Sequence, residues 1–135
     1  MCHLFAEPRL SHHYRRVLVV DDYTDSADAL CMFLEAAAFE ARACYGGLSA
    51  IEVAREFAPS VILLDIAMPG MSRFQVLQSL RADPQTMHVA IVAYTAQYCE
   101  ADVDAYRTAG FDGWCGKPSD PTGLASFVER VLQLH

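Results

Sequence analysis

Three carboxylates, a hydroxyl and an ammonium each follow a short apolar run in this chain. Val17-Leu18-Val19-Val20 leads into Asp21-Asp22, Val61-Ile62-Leu63-Leu64 into Asp65, and Val89-Ala90-Ile91-Val92-Ala93 through Tyr94 into Thr95. A fourth, weaker run, Gly113-Trp114-Cys115-Gly116, leads into Lys117-Pro118. If these groups meet, the carboxylates repel. Two unit charges about 4 Å apart cost about 4 kcal/mol at an effective dielectric near ~20. A divalent cation removes the conflict, and oxygen ligands with no soft partner favour Mg²⁺, held together with water and a phosphoryl oxygen. Lys117 then supplies a point charge for a second phosphoryl oxygen and Thr95 a hydroxyl for a third. A carboxylate can itself be the nucleophile and carry the phosphoryl group as an acyl phosphate.

The elements that must position these groups follow from the pattern. Runs of Val, Ile and Leu without polar alternation read as strands buried on both faces of a parallel sheet. In such sheets ligands bind outside the carboxyl ends of the strands, where these functional groups fall. Between the strands lie helical patterns. Thr24 or Asp25 can cap a helix with Leu30, Phe33, Leu34 and Ala37 on one face. A short strand follows near Glu40–Cys44, then a helix with Ala50, Val53, Ala54 and Phe57 that Pro59 ends. Pro69-Gly70 marks a loop after Asp65. A third helix carries Phe74, Leu77 and Leu80 and stops at Asp83-Pro84. The fourth, roughly Tyr98 to Thr108, has a weak inner face of Ala and Tyr106. The last has a wide stripe of Leu124, Phe127, Val128, Val131 and Leu132. Five strands alternating with five helices, joined by right-handed crossovers, predict an α/β doubly wound parallel sheet with helices on both faces.

The bulk properties narrow the class. The chain has 135 residues, enough for one domain, and 53% apolar residues, which excludes a disordered chain. A formal charge of −7 argues against nucleic acid or an anionic membrane as the main partner. No apolar stretch approaches the roughly 18 residues of a membrane span. Residues 1–14 lack the apolar run of a signal peptide and read as a flexible N-terminal extension, leaving 15–135 as the domain. A cytoplasmic location is expected. The five cysteines (Cys2, Cys31, Cys44, Cys99 and Cys115) form no CxxC pair and read as small hydrophobic residues in a reducing compartment. Only Cys115, two residues before Lys117, stands near the chemistry. Cys2-His3 and His12-His13 match no compact zinc spacing.

Taken together, VLVVDD, VILLDIAMPGM, VAIVAYTA and GWCGKP resemble the receiver (response-regulator) domain of two-component signalling, over roughly Arg15 to the C-terminus. The resemblance implies the flavodoxin-like strand order 2-1-3-4-5. It implies Asp65 as phosphoacceptor, and Mg²⁺ bound by Asp22, Asp65 and the backbone carbonyl of Ala67, with Asp21 acting through bound water. Thr95 and Lys117 would contact the phosphoryl group, and Trp114 occupies the aromatic switch position. The phosphoryl group would come from a histidine kinase or a histidine phosphotransfer protein. A downstream protein would read the face formed by the fourth helix, the last strand and the last helix, and homodimerisation stays open. Ala67, Gln97, Ser72-Arg73, Tyr23 and the bulky Trp114 depart from the usual pattern at positions that bear on kinetics and partner choice.

Three further readings compete. A phosphorylation-independent binding module of the same fold would keep the surface and lose the switch. An enzyme of the aspartyl phosphatase type needs Asp-x-Asp after the first strand and a longer chain, whereas Asp21 and Asp22 are adjacent. A flavin module needs amide and hydroxyl groups after that strand, and two carboxylates would repel its phosphate. The reading is a phosphoacceptor domain, not an enzyme.

Overall fold

The computed structural model describes residues 2–5, 15–66, 74–96, 102–117 and 121–133. Strand β1 spans Cys2–Leu4, β2 Arg16–Val20, β3 Glu40–Cys44, β4 Val61–Leu64, β5 Ala90–Thr95 and β6 Gly113–Gly116. The helices are α1 (Thr24–Ala36), α2 (Gly47–Phe57), α3 (Gln75–Ala82), α4 (Val103–Ala109) and α5 (Pro121–Gln133). They form one sheet in the order β1-β6-β5-β4-β2-β3. β2 to β6 are all parallel, and numbered among themselves they run 2-1-3-4-5, as the resemblance implied.

Each central strand is buried on both faces because its side chains alternate between two helix layers. Leu18, Val20, Ile62, Leu64, Ile91, Ala93 and Trp114 pack with residues of α2, α3 and α4. Val17, Val19, Val61, Leu63, Val92, Tyr94 and Cys115 pack with residues of α1 and α5 on the other side. No polar face is left, so the sequence shows no alternation. Truncating one of these Leu residues to Ala would cost about 2–5 kcal/mol.

The helices largely follow the apolar spacing, with three adjustments. The N-cap of α1 is Tyr23 rather than Thr24 or Asp25, and its side chain makes no capping bond. Instead the Tyr23 N–H donates to Asp21 Oδ1 at 3.0 Å, so Asp21 shapes the turn before the helix. In α2 the chain leaves the helix through Ala58, at a left-handed φ of 53°, one residue before Pro59. In α3 Val76 joins Leu77 and Leu80 in the core, while Phe74 is the N-cap and only half buried. Helix α4 begins at Val103, and the predicted start at Tyr98 lies outside the described residues.

The N-terminal segment is where expectation and structure part. Cys2–Leu4 pairs antiparallel with β6 (Cys2 with Cys115, His3 with Trp114, Leu4 with Gly113), so the sheet has six strands rather than five. The Phe5 N–H continues the ladder to the Asp112 carbonyl at 2.8 Å. A disulfide joins Cys2 to Cys115, with the Cα atoms 4.1 Å apart. This corrects the reading of residues 2–5 as a flexible extension and of these two cysteines as isolated hydrophobic residues. The physical reason lies in β6, whose outer edge offers free backbone groups and no charge to repel an added strand. Cys31 and Cys44 are free thiols and buried, as expected for cysteines used as core residues.

Candidate functional site

The acidic site is built from strand ends. The Asp21 N–H donates to the Cys44 carbonyl at 2.9 Å and the Asp65 N–H to the Val20 carbonyl at 2.8 Å. Both residues thus continue the parallel ladders by one step, and their carboxylates leave the sheet side by side at its carboxyl end. Asp21 and Asp65 are buried and Asp22 is exposed. One oxygen from each of Asp21, Asp22 and Asp65 lies within 4.8 Å of the others. This donor set of hard oxygens fits a Mg²⁺ ion, and Asp22 leaves the cluster open to solvent on one side.

Lys117 closes the site from β6. Its N–H donates to the Thr95 carbonyl at 2.7 Å, which fixes the backbone at the strand end. Its Nζ donates to Asp21 Oδ2 at 2.5 Å and to Asp65 Oδ2 at 3.2 Å. The ammonium therefore neutralises part of the repulsion that the sequence leads one to expect. Burial pushes the Asp21 carboxyl up. Hydrogen bonds from Lys117 and the Tyr23 N–H, with the Lys117 charge, outweigh it and hold the carboxyl below the usual range. Burial likewise pulls Lys117 down, and bonding to Asp21 with the charges of Asp65 and Asp21 holds it above its ordinary value. Both groups are charged near neutrality.

Thr95 ends β5, fully buried, opposite Gly116. Because Leu64 pairs with Ala93, Asp65 and Thr95 emerge from the ends of neighbouring strands. Trp114 is 2% exposed. Its six-membered ring lies against Gly116, where an added Cβ would sit 3.5 Å from Cη2. The indole thus reaches along β6 toward the end that carries Lys117. Of the predicted site residues, the structure brings together Asp21, Asp65 and Lys117 by contact, Asp22 within 4.8 Å of the other two carboxylates, and Thr95 and Trp114 by register. Ala67 lies outside the described residues, as do Ser72, Arg73 and Gln97.

Two features were not anticipated. Lys117 pairs directly with Asp21, and its Nζ also lies 4.9 Å from the centroid of the Tyr94 ring. Burial raises the Tyr94 phenol, with Lys117 opposing and Asp21 and Asp65 adding to the rise. The signal for Tyr94 was an aromatic one residue before the strand-end hydroxyl. Only the β5–β6 register, which sets Tyr94 opposite Cys115, shows that it flanks the lysine.

Comparison with known proteins identifies the family. Residues 17–129 match the response regulator receiver domain family. The chain belongs to that family, whose members are phosphoacceptor domains of two-component signalling. It is 30% identical over 117 residues to the polar-differentiation response regulator DivK of Brucella anthropi, covering 87% of this chain and 93% of that one. It is 34% identical over 119 residues to the DNA-binding response regulator MtrA of Mycobacterium tuberculosis (strain ATCC 25618 / H37Rv). That match covers 88% of this chain and 51% of MtrA, so the chain spans about half the length of that relative. Among solved structures, chemotaxis protein CheY4 of Vibrio cholerae superposes with a TM-score of 0.81 at 27% identity, covering 88% of this chain and 99% of that one. A response regulator from Desulfuromonas acetoxidans gives a TM-score of 0.80 at 26% identity, covering 90% of this chain and 98% of that one. Among the described residues, no helix is long and apolar enough to cross a membrane.

Proposed function

We propose that this chain takes a phosphoryl group onto Asp65 from the phosphohistidine of a histidine kinase or histidine phosphotransfer protein, and thereby switches a protein-binding surface. The observation that carries the reading is the meeting of Asp21, Asp22, Asp65 and Lys117 at one end of a receiver-family sheet. A carboxylate oxygen of Asp65 forms the new bond to phosphorus as the bond to the histidine nitrogen breaks. Lys117, already 3.2 Å from Asp65 Oδ2, faces the charge that builds on the transferred group. Thr95 offers its hydroxyl from the neighbouring strand. Asp22, Asp65 and the Ala67 carbonyl would hold Mg²⁺, with Asp21 acting through water, and the ion would offset the carboxylate charge. Trp114 carries the change along β6 to a face made by α4, β6 and α5. Residues 15–135 form the receiver unit, with a cytoplasmic setting, protein partners rather than nucleic acid or membrane, and self-association compatible with that face.

The test is intact mass after incubation with acetyl phosphate and Mg²⁺. Wild type gains one phosphoryl group and Asp65→Asn gains none. Equal labelling of the Asn variant moves the acceptor elsewhere, and no labelling of either protein favours the phosphorylation-independent binding module.

A further inference from the structure

We propose that Cys2 and Cys115 form a reversible redox latch that holds β1 over the outer edge of β6. The two residues sit directly opposite each other in the antiparallel ladder, and the bond closes a sequence separation of 113. The described contacts of β1 include β6 and α5. Cys2 and Leu4 pack on the side of the sheet that carries α5, while Phe5 packs on the other side, with Arg107 of α4 5.0 Å above its ring. β1 and the Phe5 that follows it therefore lie against the three elements assigned above to signal output. That consequence rests on the proposed function, whereas the latch itself does not.

A three-residue ladder is too short to hold a strand on an edge by hydrogen bonds alone, because ordering each residue costs about as much as its bonds return. The disulfide supplies what the ladder lacks. Where the compartment is reducing, disulfides are mostly transient and serve sensing or catalysis, and this one joins β1 to the strand that carries Trp114 and leads into Lys117. Cys115 is fully buried and Cys2 half exposed, so Cys2 is the sulfur a reagent reaches first. The Cys2 thiolate attacks one sulfur of a small-molecule disulfide such as oxidised glutathione, expelling one thiolate. The Cys115 thiolate then attacks the Cys2 sulfur and expels the second. The protein loses two protons and two electrons, the small disulfide becomes two thiols, and a dithiol reverses both steps.

The experiment equilibrates the full chain with glutathione at a series of reduced-to-oxidised ratios, then counts thiols with N-ethylmaleimide in denaturant. Of the five cysteines, two are lost together on oxidation, and peptide mapping links Cys2 to Cys115. Amide exchange across residues 113–116 is at least about tenfold faster in the reduced protein and in Cys2→Ser than in the oxidised protein. Cys2→Ser is the variant of choice, because it alters a half-exposed edge position, whereas Cys115→Ser disturbs the core. Five free thiols at every ratio, a Cys2 bond between two chains on a non-reducing gel, or equal exchange in both states would each overturn the latch. A parallel phosphodonor assay separates the two readings, since its failure removes the phosphoacceptor and leaves thiol counts and exchange unchanged.

Discussion

Strands β3 and β6 close the parallel sheet at opposite edges and deal with unpaired backbone in opposite ways. Glu40 and Arg42 keep β3 charged and exposed. Arg16 pairs with Glu40 at 3.3 Å, and the Arg42 guanidinium lies 4.6 Å above the Phe57 ring. Such charges repel an added strand, although each contributes little to stability. β6 is Gly-Trp-Cys-Gly, with its first three residues buried and no charge of its own. It is capped instead by β1, through three paired residues and a disulfide. An edge guarded by its own side chains tolerates change locally. An edge that relies on a distant segment ties its state to whatever holds that segment.

The sharpest way to break this comparison is to give both edges the same charge. Cys115→Lys places an ammonium at a fully buried position in the apolar layer that includes Val128. It is expected to cost about 3–5 kcal/mol against reduced wild type in urea unfolding. Ala41→Lys on β3 falls at a half-buried site beside solvent-facing charges. There a lysine can extend its stem along the surface, and the cost stays under about 1 kcal/mol. Equal costs would show that the two edges do not differ in this way.

A second test leaves the sequence intact. Reducing the Cys2–Cys115 bond opens a covalent loop spanning 113 positions, which should lower unfolding free energy by about 2–4 kcal/mol. The same reductant should leave Cys2→Ser unchanged, which separates the loss of the bond from general effects of the reagent. A wild-type midpoint that does not move with reduction would mean that β1 adds nothing to the edge it covers.

These two edges also mark how far the sequence was legible. Central strands announce themselves because burial on both faces demands unbroken Val, Ile and Leu, and such runs placed Asp21, Asp65 and Thr95 at one end of the sheet. Lys117 was located by the same logic. Its bond to Asp21 was not, because a lysine stem reaches several groups and only the strand order shows which is nearest. β1 was illegible for a different reason. Cys-His-Leu is too short to carry a period, and its partner lies more than a hundred positions away, so nothing local marks it as a strand. The cap of α1 was misread because Thr24 and Asp25 are good capping residues. The bond that matters runs from the Tyr23 N–H to Asp21, a carboxylate already claimed by the site. Function and local structure compete there for one side chain.

The smallest expected effect concerns Cys31, a buried thiol away from either edge, which tests whether redox chemistry is special to β6. Cys31 lies in α1 and packs in the same layer as Cys115, but among the described residues no second cysteine joins it there as a partner. Burial, with the charges of Glu35 and Asp28, pushes its thiol up to about 11 from an ordinary 9.0. The thiolate is the reactive form, so at pH 8 its population is about a hundredfold below that of an unshifted thiol. Native protein at pH 8 should thus leave Cys31 unmodified by iodoacetamide while reduced Cys2 is labelled. The sign for stability follows from the same shift. With the folded value raised, the thiol is neutral in both states well below pH 9, and there pH has no effect through it. Between pH 9 and about 11 the unfolded chain ionises first, so stability falls as pH rises, and Cys31→Ala should flatten that slope. Labelling of Cys31 as fast as Cys2 at pH 8 would show that thiol reactivity is spread through the core rather than confined to the edge that β1 covers.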